Sequence, residues 1–198
     1  MSKLTCDTPS TYDMASPGRL RSALLGGLHG AVLEIGPGDG VNLPYYASDV
    51  RWIGIEPNTR SRELLRREAA RLNRPVKVLA GRAERIDLPA SSVDAVVGTL
   101  VLCSVDDQTT ALAEVRRVLR RGGQYVFVEH VAAPRGTWIR RGQDVHSLAV
   151  GLFGATCRSN RESERAIRQA GFGLVHIDRY TGPGPLGSYT PRIAGIAR

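Results

Sequence analysis

A glycine-rich loop with an acid in front of it lies within the stretch VLEIGPGDGVNLPYY, residues 32–46. Gly36, Gly38 and Gly40 have no side chain, so the backbone there can approach a ligand closely and turn tightly. Dinucleotide-binding loops have the spacing G-x-G-x-x-G and point a helix N-terminus at a pyrophosphate. This loop has G-x-G-x-G instead, and Glu34 stands two residues before its first glycine. Because a carboxylate repels phosphate, the predicted ligand carries a positive charge here, as an ammonium or a sulfonium does.

Two further acids follow the next two predicted strands. Glu56 ends the stretch VRWIGIE, where a carboxylate can accept hydrogen bonds from both hydroxyls of a ribose. Glu84 ends the stretch AGRAE and can accept a hydrogen bond from the exocyclic amine of a base. A cationic amino-acid end, a ribose and an adenine together make up S-adenosylmethionine. The three acids and the glycine loop therefore predict an S-adenosylmethionine site.

Such a site needs elements that bring strand ends together, and the apolar pattern predicts them. Short runs rich in Val and Ile predict buried strands at 31–36, 50–56, 75–81, 93–102 and 123–131. Apolar residues at three- and four-residue spacing predict helices over 59–73 and 108–123. The predicted N-caps are Thr59 and Asp107, and Gly122 is the predicted C′ stop. This alternation predicts an α/β protein with a Rossmann-like, doubly wound parallel sheet.

The pattern changes after residue 131. A helix is predicted over 161–171, and strands over 172–180 and 190–198. Because only a short loop rich in glycine and proline joins these two strands, they are predicted to run antiparallel. The length favours one domain over 1–198. Its predicted parts are an N-terminal cap (1–29), a cofactor-binding core (30–131), a substrate lid (132–160) and a C-terminal helix with a hairpin (161–198).

The lid is predicted to be an insertion that covers the site. Trp138, Leu148, Leu152 and Phe153 would form an apolar wall if it folds over the cofactor, which would select a hydrophobic substrate and exclude water. The alternative is that these side chains only pack the lid against the sheet.

Composition excludes several classes of protein. The net charge is +8, but arginines are scattered beside acids with no basic stripe among aromatics, so no nucleic-acid partner is predicted. No apolar run approaches the roughly 18–20 residues of a membrane helix, and the start lacks the apolar core of a signal peptide. Three cysteines without a C-x-x-C pair predict no disulfide framework and favour the cytoplasm. The predicted partner is a small-molecule substrate, and the oligomeric state is left open.

The combined motifs resemble a known family from about Gly30 to the end of the chain. The segments VLEIGPGDG, GIEPN, AGRAERIDLPASSVDAVVGTLVLCSV and EVRRVLRRGGQYVFVEHV, with the C-terminal hairpin, are similar to class I S-adenosylmethionine-dependent methyltransferases of the ubiquinone-biosynthesis type. TLVLCSV, EHVAAPRGTW and LFGATCRSNRES resemble the alkyl-thiol methyltransferases of the methyltransferase-like seven group. The resemblance implies a seven-stranded sheet with an antiparallel C-terminal strand and S-adenosylmethionine as cofactor.

The same resemblance implies which residues contact the cofactor. Glu34, Gly36, Gly38 and Gly40 would line its methionine part, Glu56 would hold the ribose, Glu84 would meet the adenine, and Thr99 and Leu100 would lie along it. The neighbouring Pro37, Asn42, Pro57 and Ala83 complete the predicted set.

The chemistry predicted for this site is in-line displacement at a methyl carbon, in which good alignment can supply about 7–11 kcal/mol. A thiol is partly ionised near neutral pH and needs a weak base or none, whereas a hydroxyl or a carbon acid needs firmer proton removal. The few bases near the predicted pocket favour thiol S-methylation. O- or C-methylation of a phenolic or quinone-like small molecule is the alternative, and a non-catalytic cofactor-binding domain is another.

His130, near the end of the fifth predicted strand, is the predicted catalytic base, and the alternative role for it is a hydrogen bond to a neighbouring loop. His146 is the second candidate for the base. Glu129 is predicted to orient a loop and not to act on the substrate. Cys103 is predicted to be inert packing. Because Cys157 has no Cys or His at ligand spacing along the sequence, no metal site is predicted.

Overall fold

A computed structural model describes residues 16–152, 157–183 and 189–198. The helices within these residues are α1 (Pro17–Leu25), α2 (Thr59–Arg71), α3 (Gln108–Val118), α4 (Trp138–Leu152) and α5 (Ser163–Gln169). The strands are β1 (Ala31–Ile35), β2 (Arg51–Ile55), β3 (Lys77–Leu79), β4 (Val93–Thr99), β5 (Leu119–His130), β6 (Val175–Pro183) and β7 (Tyr189–Ala197). Across the described part of the chain, no helix has the length and apolar character needed to cross a membrane.

The seven strands form one sheet in the order β3-β2-β1-β4-β5-β7-β6. Strands β1 to β5 pair in parallel, and β7 runs antiparallel to both β5 and β6. The predicted seven-stranded α/β sheet with an antiparallel C-terminal strand is therefore confirmed. The strand order reverses between β1 and β4, where Ile35 lies beside Gly98. Ligands of doubly wound sheets bind at such a switch point, beyond the carboxyl ends of the strands.

The central strands are apolar along their whole length because both faces of the sheet are covered. All five residues of β1 are buried, as expected for a parallel strand between two layers. Successive side chains point to opposite faces, so Leu33 and Ile35 join a core on one face with Phe127, while Val32 and Val97 join a second core on the other face. This packing fixes the strand ends where the predicted site residues lie.

Two predicted helix boundaries are wrong, and one predicted cap is confirmed. Asp107 caps α3, since its carboxylate accepts a hydrogen bond from the Thr109 N–H at 2.8 Å. The cap of α2 is Asn58 and not Thr59, because the Asn58 side chain accepts from the backbone of Ser61. Helix α3 ends at Val118, five residues before the predicted end. The chain enters β5 directly at residue 119, so Gly122 lies in a strand irregularity and not at a helix C′ position.

Two helices were missed by the sequence analysis. Helix α1 begins after Ser16, whose hydroxyl accepts from the backbone of Arg19, with Pro17 in its first turn. This pair is a helix start signal in the sequence. Helix α4 lies in the predicted lid and begins after Thr137, whose hydroxyl accepts from the backbone of Arg140 at 3.2 Å. A glycine inside α4, Gly142, weakens the helical pattern there.

Candidate functional site

The three glycines after β1 are needed for different reasons. All three have positive φ angles, which favour glycine. A Cβ on Gly36 would lie 2.8 Å from a methyl group of Val101, and one on Gly40 would lie 2.8 Å from a methyl group of Leu65. A Cβ on Gly38 would meet no atom of the described residues within 4 Å. Gly36 and Gly40 therefore allow close packing, whereas Gly38 borders open space that a ligand can occupy.

A cavity of about 270 Å³ lies at the carboxyl ends of the strands beside this loop. Half of the predicted cofactor-binding set lines it, namely Gly36, Glu56, Pro57, Ala83, Glu84 and Leu100. It is also lined by Ile55, Arg82, Val101, Ser104 and Val105, which the sequence analysis missed. Three of these follow β4 in the motif TLVLCSV, so this motif was the signal that could have identified them.

Glu56 connects the end of β2 to the glycine loop. Its Oε2 accepts a hydrogen bond from the backbone N–H of Gly38 at 3.1 Å, and its Oε1 accepts one from Asn58 at 2.8 Å. An ionised carboxylate has about four lone-pair sites. Glu56 therefore keeps acceptor capacity for further donors such as ribose hydroxyls.

The two carboxylate oxygens of Glu84 have different surroundings. Its Oε1 accepts from the backbone N–H of Asp106 at 2.6 Å. Its Oε2 is buried and accepts no hydrogen bond from the described residues, although the Arg82 guanidinium lies 3.7 Å away. Since a buried acceptor is costly to leave without a partner, this oxygen is suited to receive an amino group from a ligand.

Glu34 lies in a different place from the other two acids. It is 1% exposed and is absent from the lining of the 270 Å³ cavity. Its Oε1 accepts from the Asn42 side chain at 2.7 Å, and its Oε2 accepts from the Tyr46 hydroxyl at 2.7 Å and the Trp52 indole at 3.2 Å. Burial raises the pKa of Glu34, and these three hydrogen bonds oppose that rise. Protein donors thus surround the carboxylate that the resemblance assigned to the methionine part.

Asn42 joins Glu34 to two other elements. Its amide also donates to the Thr99 hydroxyl at the end of β4 at 2.8 Å, and its oxygen accepts from the Arg21 guanidinium of α1 at 2.8 Å. Asn42 is fully buried, and neither it nor Thr99 lines the cavity; the same holds for Pro37, Gly38 and Gly40. These residues hold the loop and the strands in position around the cavity.

The loop after β4 is held by Glu129, as predicted. One oxygen of this buried carboxylate accepts from the backbone N–H groups of Val101 and Leu102 at 3.0 and 2.9 Å. Leu100, which lines the cavity, has a φ of 58°. For a residue other than glycine this conformation costs roughly 1–2 kcal/mol, so the surrounding hydrogen bonds must enforce it. Burial raises the pKa of Glu129 to about 8, mainly because the charged form is desolvated.

Cys103, His130 and Cys157 meet at one place in the structure. The two Sγ atoms are 3.5 Å apart, and the Cys157 Sγ lies 3.9 Å from the His130 Nδ1. The hydrogen bond with Cys103, followed by that with His130, lowers the pKa of Cys157 to about 4, whereas the pKa of Cys103 is raised. Cys157 thus has a Cys and a His beside it in three dimensions, although neither lies at ligand spacing along the sequence. The sequence did not reveal this cluster, because Cys157 is 27 residues from His130 and 54 residues from Cys103.

Helix α4, in the predicted lid, leaves two residues of the predicted apolar wall exposed. Trp138 is 83% exposed and Leu148 is 69% exposed, and the Arg141 guanidinium lies over the Trp138 ring at 5.1 Å. Gln143 anchors the helix, since its amide donates to the carbonyl groups of Val131 and Ser159, both at 2.9 Å. The Leu152 side chain and Phe153 lie outside the described residues.

Comparisons with known proteins find methyltransferases. The family model described as "Methyltransferase domain" matches residues 33–127. The chain is 37% identical to human thiol S-methyltransferase TMT1A over 171 residues, which is 84% of this chain and 70% of the relative. It is 36% identical to human thiol S-methyltransferase TMT1B over the same shares of both chains. The crystal structure of an S-adenosylmethionine-dependent methyltransferase from Thermotoga maritima, described as a possible histamine N-methyltransferase, matches with a TM-score of 0.63 and 25% identity, covering 89% of this chain and 85% of that one.

Proposed function

Because the chain belongs to the S-adenosylmethionine-dependent methyltransferases, we propose that it transfers the methyl group of that cofactor to the thiol of a small molecule. The likeness to human thiol S-methyltransferases over 84% of the chain carries this proposal. The cavity supports it, because its titratable residues among those described are Glu56, Arg82 and Glu84. A thiol is the acceptor that depends least on a strong base.

The residues at the strand ends fit the three parts of S-adenosylmethionine. Gly38 borders open space, which suits the close approach of the methionine portion. Glu56 has spare acceptor capacity beside that glycine, which suits the ribose hydroxyls. The buried Oε2 of Glu84, which has no hydrogen bond from the described residues, suits the adenine amine. We propose these three contacts because the chemistry of each residue suits one part of the cofactor. The three residues also follow β1, β2 and β3 in that order.

The cofactor supplies a methyl group bonded to a sulfonium, which is already activated for displacement. The protein's task is then to hold the cofactor and the acceptor in line, since alignment can supply about 7–11 kcal/mol of the barrier. We propose that Glu56 and Glu84 hold the nucleoside, and that Leu100 and Val101 present an apolar wall beside it. Three further assignments stay predictions from the sequence. They are the role of His130 as catalytic base, a cytoplasmic location and the absence of a nucleic-acid partner.

A panel assay tests this proposal. The purified protein is given labelled S-adenosylmethionine with small thiols and with phenols and quinols of the same carbon skeleton, and cofactor affinity is measured in parallel by calorimetry. We expect methylated product from the thiols and none from the matched oxygen compounds. Product from phenols or quinols alone would show that the acceptor atom is oxygen or carbon and not sulfur. Tight cofactor binding without any product would favour the non-catalytic alternative.

A further inference from the structure

We propose that Cys103, His130 and Cys157 form a binding site for a thiophilic divalent cation, for which Zn²⁺ is the best fit. Cys103 lies in the loop after β4, His130 is the last residue of β5, and Cys157 follows the lid helix. Their ligand atoms all lie within 4.8 Å of one another. The nitrogen and two sulfur atoms are the ligand types that zinc and other thiophilic cations prefer.

Two of the three distances between the ligand atoms are close to those in a tetrahedral zinc site. Zinc–sulfur bonds of about 2.3 Å and zinc–nitrogen bonds of about 2.0–2.1 Å place two sulfurs about 3.8 Å apart and a sulfur and a nitrogen about 3.6 Å apart. The observed separations are 3.5 Å between the two Sγ atoms and 3.9 Å between the Cys157 Sγ and the His130 Nδ1. A central cation therefore requires only small side-chain movements for these two pairs.

The backbone around the three ligands is held by specific hydrogen bonds. The carbonyl of Cys103 accepts from the N–H of Arg158 at 2.8 Å, which keeps the segment containing Cys157 beside the loop after β4. The neighbouring N–H of Leu102 donates to the Glu129 carboxylate at 2.9 Å. His130 lies in the sheet, where it pairs with Arg192 of β7. The fold thus brings the three ligands together from separate parts of the chain.

A divalent cation suits the charge that both cysteines carry when they act as ligands. Zinc binds cysteine as the thiolate, and two thiolates at the observed separation of 3.5 Å would repel each other strongly where water is excluded. A divalent cation between them offsets that repulsion. A disulfide would use only the two cysteines, whereas the imidazole at the third corner favours a cation. Cys157 and His130 are half-buried, so a cation has a path to enter. Three protein ligands also leave the fourth tetrahedral position for water or an external ligand.

The site flanks the cofactor cavity. The Cys103 Sγ lies 3.6 Å from the Ser104 hydroxyl, and Ser104 lines the cavity. The Cys103 Sγ also donates to the carbonyl of Leu100 at 3.3 Å. If a cation binds here, the Nδ1 of His130 is a ligand atom and is not free to accept a proton.

Metal titration of the reduced protein tests the proposal without using activity. All proteins carry Cys6→Ser, so that Cys103 and Cys157 are the only thiols in the chain. After removal of metal with a chelator and reduction with a phosphine, Zn²⁺ is titrated in competition with a chromophoric chelator, and Co²⁺ is used as a spectroscopic substitute. We expect one Zn²⁺ per chain and a thiolate-to-cobalt charge-transfer band.

Two ligand variants and one matched control complete the test. We expect Cys157→Ser and His130→Asn each to weaken Zn²⁺ binding by more than the roughly 10–100-fold that loss of a supporting group costs. His176→Asn, on β6 beside Asp178, should leave it unchanged. Circular dichroism and cofactor affinity show whether each variant is folded. Failure of the Cys6→Ser protein to bind Zn²⁺, absence of the charge-transfer band, or equal affinity in either folded ligand variant would overturn the proposal.

Discussion

The carboxylate of Glu56 accepts a hydrogen bond from the backbone N–H of Gly38 at 3.1 Å. This contact joins the end of β2 to the loop after β1 at Gly38, where an added Cβ would meet nothing within 4 Å among the described residues. The proposed ribose-binding acid therefore also supports the backbone that the cofactor must approach. Loop position and nucleoside binding are expected to depend on the same side chain.

Replacement of Glu56 is expected to weaken cofactor binding strongly. Hydrogen bonds to charged groups contribute about 1.5–3 kcal/mol each, so Glu56→Ala should raise the Kd for S-adenosylmethionine by roughly 10–150-fold. Calorimetry measures the change. Glu68→Ala is the matched control, because Glu68 pairs with Arg71 on the surface of α2. A Kd within twofold of the unaltered protein in Glu56→Ala would contradict the ribose assignment.

A bulky side chain at Gly38 is expected to block the cofactor while leaving the fold intact. Gly38→Leu places the side chain in the open space beside the loop, and the positive φ of 56° adds strain of about 1–2 kcal/mol.

Gly122→Leu is the control for strain, since Gly122 has a φ of 79° and a Cβ there would also meet nothing within 4 Å among the described residues. Calorimetry and thermal unfolding should show similar stability losses for both variants, and loss of cofactor binding only for Gly38→Leu. Equal cofactor affinity in the two variants would refute the loop assignment.

Glu34 is expected to act mainly on stability. Glu34→Gln keeps the size of the side chain but replaces one of the two carboxylate oxygens, which accept from Asn42, Tyr46 and Trp52, by an NH2 group that cannot accept. Because a buried donor without a partner costs about 1–3 kcal/mol, the free energy of unfolding should fall by about that amount.

Urea unfolding measures this loss, and Tyr46→Phe, which removes one of the three donors, should cost less. Cofactor affinity is measured on the same samples. A larger loss of affinity in Glu34→Gln than in Glu56→Ala would instead favour direct contact of Glu34 with the methionine part.

The ion pair of Glu114 and Arg117 is expected to make stability depend on pH. The Nε of Arg117 lies 2.6 Å from the Glu114 carboxylate, and this contact lowers the pKa of Glu114 below its ordinary value of 4.5. The unfolded chain then binds the proton more tightly, so stability is fully present above pH 4.5 and is lost as the pH falls through the lower, folded-state pKa.

Urea midpoints measured between neutral pH and about pH 3 test this dependence. Glu114→Gln should be less stable at neutral pH and should approach the unaltered protein as the pH falls. A difference between the two proteins that stays constant with pH would show that the ionised carboxylate contributes nothing.

The order of strands and helices was predictable because each signal is local. Short runs rich in Val and Ile identify buried strands, and apolar residues at a spacing of three to four identify helices, each within a few residues of chain. The boundary between α3 and β5 was missed because the pairing of Leu119 with Val93 of β4 overrides the helical pattern of the residues that follow. Helix α4 was missed because its exposed apolar residues, such as Trp138, do not face a core.

The sequence by itself determined the fold class and the glycine loop, since the apolar pattern of strands and helices and the freedom of glycine are properties of single residues and their neighbours. Only the tertiary structure decided which acids face the cavity. Glu34 lies among donors up to 18 residues away, whereas Glu84 keeps an oxygen without a hydrogen bond from the described residues. Likewise, only the fold brings Cys157 to Cys103 across 54 residues, because such contacts depend on how the strands and the lid pack and not on spacing along the chain.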